Sequence, residues 1–242
     1  MQGLGSGQQV WSRSGTAGLG ALLFVATACA PMHVTLPSAL DGGEVLSVSG
    51  RGDFGADYRI GAYRVLPRPR GFATSERSDY LISTALARAE SFALAITSPD
   101  GAEEEINCAL KARIQHGFEE SRRYEGGEIE CIGEDVVLFW ESAVDKTLVG
   151  TVLVGDETLS FAPAAEAPAP GLPRSAAAVL RRGEVAVAAV ERLSAGRVIV
   201  APGAGSQPTR AAVILLAVVN TTENILARWA REAVREEGPR EL

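Results

Sequence analysis

After Asp57, hydrophobic and polar residues alternate with a period of two along much of the chain, the spacing that turns one face of a β-strand to a core and the other to water. Tyr58 and Ile60 share a face, Gly61 shifts the phase, and Tyr63 and Val65 continue it, which predicts a bulged strand ended by Pro67 and Pro69. Tyr80, Ile82, Thr84 and Leu86 keep even parity with Phe92, Leu94 and Ile96, across Arg88 and Glu90; the density of alanine leaves a helix over 81–90 as an alternative. Ser98-Pro99-Asp100-Gly101 has turn chemistry, with proline fixing φ and glycine relaxing it. The cleanest strand is Glu105 to Gln115, where Ile106, Cys108, Leu110, Ala112 and Ile114 alternate with Glu105, Asn107, Lys111, Arg113 and Gln115. A polar loop with Gly126-Gly127 leads to a second such strand, carrying Ile129 and Cys131. Val136 to Trp140 and Leu148 to Phe161 read as two more strands around Asp145-Lys146. Glu184 to Leu193 and Arg197 to Ala201 form a hairpin turned at Ser194-Ala195-Gly196.

Between these strands, Pro/Ala-rich residues 162–173 are expected to run extended, as a loop within one domain or as a linker. A hairpin alone is unstable, so the hairpin after this segment should dock on the earlier sheet. Pro208-Thr209 opens a helix predicted over 209–236, with Thr209 as N-cap. Its first half is apolar through Val219 and must be packed on protein; Asn220 and Glu223 have the spacing for a break and restart. The second half is amphipathic, with Ile225, Leu226, Trp229 and Ala233 expected to lie on the sheet. The expected fold is mainly β (α+β): an antiparallel sheet or meander with a C-terminal helix packed on it.

Cys108 and Cys131 lie on the apolar sides of their strands. If those strands pair antiparallel with the cysteines opposite each other, Leu110 falls opposite Ile129 and the apolar faces coincide. A disulfide is therefore expected in an oxidising compartment, against the alternative of two reduced core thiols. Two thiols without further Cys or His nearby do not complete a zinc site, and no metal or cofactor is expected.

The third cysteine belongs to a different pattern. Polar residues up to Ser14 carry one positive charge, Arg13, and Gly15 to Ala28 then runs uncharged to a small-residue site, the layout of a secretory signal over 1–28. The apolar stretch is about a dozen residues, where a bilayer-spanning helix needs roughly twenty. Ala26-Thr27-Ala28-Cys29 resembles the lipobox of bacterial lipoproteins, with Ala26 where Leu is usual. The resemblance implies lipidation of Cys29 as the new N-terminus. Ala30 after it implies the outer membrane of a Gram-negative envelope. Ala26-x-Ala28 also suits the ordinary signal peptidase, which would leave Cys29 a free thiol. Residues 29–50, with Pro31, Pro37 and Gly42-Gly43, then read as a tether, and 51–242 as a single β-rich domain.

Composition narrows the chemistry further. The chain has 242 residues and a formal charge of −7, which becomes −8 without residues 1–28, so clustered phosphate contacts and nucleic-acid binding are not expected. Arginine outnumbers lysine 21 to 2, a GC-rich coding bias. Of the two histidines, His33 sits in the tether and His116 in a charged loop, and no Gly-x-Ser-x-Gly, Walker or His-Glu-x-x-His pattern occurs. Gly203-Ala204-Gly205 reads as a turn, Glu103-Glu104-Glu105 and Glu134-Asp135 as solvated entrances to strands. Arg122-Arg123 and Arg181-Arg182 could receive an anionic partner but have acids close by. No catalytic residue is assigned. Taken together, these features resemble the uncharacterised lipoproteins of Gram-negative, GC-rich bacteria. That likeness implies a lipid-anchored envelope protein with a structural or interaction role, partnered by the membrane and another envelope component. A periplasmic hydrolase with a scattered site is the alternative.

Overall fold

The structure is a computed structural model that describes residues 34–50, 56–79, 83–117, 122–142, 147–164, 176–193 and 196–236. Twelve strands occur among these residues: β1 (Glu44–Ser49), β2 (Tyr58–Ile60), β3 (Tyr63–Asp79), β4 (Ser83–Thr97), β5 (Glu103–Gly117), β6 (Arg122–Ile132), β7 (Val136–Ser142), β8 (Leu148–Val154), β9 (Glu157–Pro163), β10 (Ala177–Arg182), β11 (Val185–Glu191) and β12 (Arg197–Val200). Each pairs antiparallel with its sequence neighbours, and β1 pairs with β12 to close a barrel. The expected meander is therefore a closed one, which removes the free edges that an open sheet must protect.

One helix, α1 (Ser206–Glu236), follows β12. Ala211 to Val219 are completely buried, and they share one core with inward residues from all round the wall, including Leu46, Phe92, Ile106, Leu138, Val152, Leu180 and Val198. A helix apolar on every side needs protein on every side. Here it gets it by running through the lumen. This refines the expectation of a helix packed on the sheet: α1 packs on the inner face of the closed sheet as the core of the barrel, starts at Ser206 rather than Thr209, and continues without a break through Asn220. Thr221 and Thr222 are accommodated inside it by donating to the carbonyls of Ala217 and Val218 at 2.9 and 2.8 Å. An eight-stranded barrel is filled by its own side chains; twelve strands leave room for a helix about 10 Å across.

We call the opening where α1 enters the front and the one where it leaves the rear. At the front, Arg210 binds Asp135 in the β6–β7 turn at 2.9 and 2.5 Å and Glu104 at 2.7 Å. Gln207 donates to Asp156 in the β8–β9 turn at 3.0 Å. Toward the rear, Arg88 and Glu90 of β4 have the inward parity of Phe92 and are buried. Arg88 meets Glu232 at 2.9 Å and lies over the Trp229 ring at 5.9 Å, while Trp229 Nε1 donates to Glu90 at 2.9 Å and Arg228 is ion-paired to the same carboxylate. Both ends of the helix are thus tied to the wall by charge-assisted bonds.

Several boundaries differ from expectation. β3 runs through Pro67 and Pro69 to Asp79, where beyond Val65 it pairs with β4 on one side and, among the described residues, with no strand on the other. The two prolines share a parity, so both missing N–H groups can fall on that open edge. Gly61 is no bulge but half of a two-residue hairpin turn between Ile60 and Tyr63; its φ is +58°, and a Cβ there would approach the Leu46 side chain to 2.8 Å. Residues 83–97 form strand, not helix. Ala162 and Pro163, expected in a loop, end β9, and the remainder of 162–173 from residue 165 lies outside the described residues. An additional strand, β10, precedes the predicted hairpin.

The tether expectation for 29–50 is also corrected from Val34 onward. Val34 packs on Ala176 and Ala177, its N–H donates to buried Glu191 at 3.3 Å, and Leu40 covers Val179, Ala189 and Ile199 on the outside of the barrel before β1 enters the wall. The signal segment, Cys29 and His33 lie outside the described residues.

Candidate functional site

Cys108 and Cys131 are directly opposite in the β5–β6 register, with Leu110 opposite Ile129, and are joined in a disulfide with their Cα atoms 4.0 Å apart. Such close approach belongs to the non-hydrogen-bonded pairs of an antiparallel ladder. The bond lies in the core lining and pins the wall where β5 and β6 begin their long run to the rear.

Toward the rear, a groove of about 870 Å³ is formed where β6 parts from β7. β6 pairs with β5 throughout but, among the described residues, with β7 only over Gly127–Ile132, and the β5–β6 register shifts at Arg113/Ile114. Gly126, with φ +140°, takes the backbone through this fork, a conformation that a side chain would resist. The floor carries small residues, Ala87, Ala89, Ala112, Gly126 and Gly127. Thr74 and Glu76 stand on one side, Glu141, Thr147 and Val149 on the other. Lys111 donates to Glu128 at 2.7 Å across the floor, and this bond raises its pKa above the ordinary lysine value. Arg88 also lines the groove, so the ion cluster around Trp229 begins where the groove ends.

Chemically, the groove offers a smooth floor and charges of both signs, an arrangement suited to holding a ligand. Among the described residues no three His, Cys, Asp or Glu side chains converge to hold a metal ion. Of the basic pairs, Arg182 is bound to Glu157 at 2.6 Å and Arg181 donates to the Glu184 carbonyl at 3.1 Å. The side chains of Arg122, Arg123 and His116 lie outside the described residues. Glu104 and Asp135, read as solvated strand entrances, hold Arg210. Sequence reasoning had Lys111 and Arg113 on the wet face of β5; it did not find the groove, because the fork of β6 depends on where β7 stops. No protein-family model, curated protein or solved structure matches the chain.

Proposed function

We propose that the protein is a lipid-anchored module of a bacterial cell envelope that acts by binding another envelope component on the outside of its barrel. The observation that carries this reading is the filled lumen: where an open barrel would hold a ligand, this one holds its own helix, so recognition falls to the outer wall, where the rear groove offers a concave surface. The signal layout and the lipobox-like Ala26-Thr27-Ala28-Cys29 support export and anchoring. A cross-strand disulfide suits an oxidising compartment. Five residues span at most about 18 Å, so acylation of Cys29 would keep the rear end, where Val34 docks, close to the bilayer.

Two measurements test this. Expressed in a Gram-negative host, wild type should incorporate labelled fatty acid and fractionate with membranes, and Cys29→Ser should do neither; equal solubility and no label in both would refute the anchor. In the same cells, wild type treated with a short crosslinker should give a discrete adduct that the groove-filling Ala89→Trp loses while remaining folded. An adduct unaffected by Ala89→Trp would refute the groove.

A further inference from the structure

Beside the groove, and sharing Glu128, Glu141 and Val149 with its rim, the outer wall changes character. On the outward faces of β6, β7 and β8 the register sets Ile132 opposite Val137 and Val137 opposite Leu153; Phe139 stands between Glu130 and Thr151, and Glu141 between Glu128 and Val149. Ile132 is 53% exposed, Val137 43%, Phe139 41% and Val149 51%. These are four of the six large hydrophobic residues exposed among those described, and strand pairing brings them onto one continuous face. The groups interleaved with them are acidic. Glu128 and Glu141 are direct cross-strand partners, a like-charge pair that costs stability where it stands. Among the described residues Lys111, through Glu128, is the one cation paired with Glu128, Glu130 or Glu141.

We infer that this face docks an extended, cationic-amphipathic protein segment, one alternating Lys or Arg with large apolar side chains. Such a segment, laid across the strands, would set its apolar residues on Ile132, Val137 and Phe139 and its cations between Glu128, Glu130 and Glu141, relieving the repulsion of the facing carboxylates. A second copy of this chain fits less well, because it would bring the same carboxylates against each other. Anionic lipid and nucleic acid are repelled for the same reason. This names the partner chemistry within the interaction reading above; the face shares Glu128, Glu141 and Val149 with the rim of the groove but extends from it over Ile132, Val137 and Phe139, which do not line it, so Ala89→Trp in the groove and Phe139→Ser outside it tell the two apart.

The test uses purified mature protein and a labelled nine-residue peptide alternating lysine and leucine. Two controls are the same peptide with glutamate for lysine and the same peptide with serine for leucine. By fluorescence anisotropy at physiological salt, wild type should bind the Lys/Leu peptide at least about tenfold more tightly than either control. Glu130→Lys and Phe139→Ser, both at outward positions and checked by circular dichroism for an intact fold, should each weaken binding about fivefold or more. Ala89→Trp should not. Equal binding of the serine control, unchanged affinity in both variants, or burial of the face in a dimer by analytical ultracentrifugation would each overturn the inference. Loss of binding in Ala89→Trp alone would assign the peptide to the groove and likewise overturn it.

Discussion

Cys108 and Cys131 were legible as a pair because parity and register are local properties: each side chain's face follows from its neighbours, and one alignment makes both apolar faces agree. Arg88 and Glu90 carried the same kind of signal. Their even numbers put them on the inward face with Phe92, so two buried charges could be read from the strand alone. Their partners could not. Arg228 and Trp229 meet Glu90 from 138 and 139 residues away, and Glu232 meets Arg88 from 144. For the cysteines, replacing both by serine should cost about 2 to 5 kcal/mol in urea-induced unfolding, through the lost loop constraint and two hydroxyls in an apolar layer. Mass spectrometry of the exported protein before and after reduction should show one intramolecular disulfide. Two freely alkylated thiols in the native protein would show that the pair does not form.

Among elements, the strands with one wet face were easy to find and those buried on both faces were not. Ala177 to Leu180 of β10 pack inward on the helix and outward under Val34 and Leu40, so their sequence shows no alternation. The helix and its packing on the sheet were legible; which face of the sheet it packs on was not. Its Ala211–Val219 run has no polar stripe, which already called for burial all round; what the sequence could not supply was the curvature of the wall that provides it. Its front anchor makes a prediction. The hydrogen bond from Arg210 holds the Asp135 pKa below the ordinary aspartate value. A carboxylate depressed in the folded state contributes stability fully above its unfolded pKa, about 3.9, and loses that contribution as the pH falls through the lower folded value. Asp135→Asn should therefore be less stable than wild type at pH 7, by a modest amount because the carboxylate is half exposed, and the difference should shrink below about pH 4. Chemical denaturation at a series of pH values checks this; a constant difference across the range would mean that the Arg210 contact does not act through the carboxylate charge.

For the molecule as a whole, closure was the least legible feature, because it rests on β1 meeting β12 across some 150 residues of chain that look locally like any meander. Once closed, barrel and helix are mutually dependent. Leu46, Phe92, Ile106, Leu138 and Val152 share one buried core with the helix, and deleting residues 206–242 would remove the helical part of that core. That truncation should give protein that binds a hydrophobic dye strongly and lacks a cooperative thermal transition, whereas removing 237–242 should leave the transition unchanged. A cooperative, dye-free barrel from the longer deletion would show that the wall is stable without its core.

Because α1 follows every wall strand in the chain and is innermost in the fold, the order of assembly is constrained by the direction of delivery. A chain issuing from its N-terminus, from a ribosome or through a membrane pore, presents every wall strand before the element they surround. Until Ser206–Glu236 arrives, the apolar lining of the wall has no helix to cover it. By length and composition alone Ser206–Trp229 is apolar enough to cross a bilayer, and in the folded protein the wall supplies the apolar surroundings that this segment needs. The interval between the last wall strand and α1 is thus when the wall lining and the late segment are both uncovered, and a helper that shields either would act then.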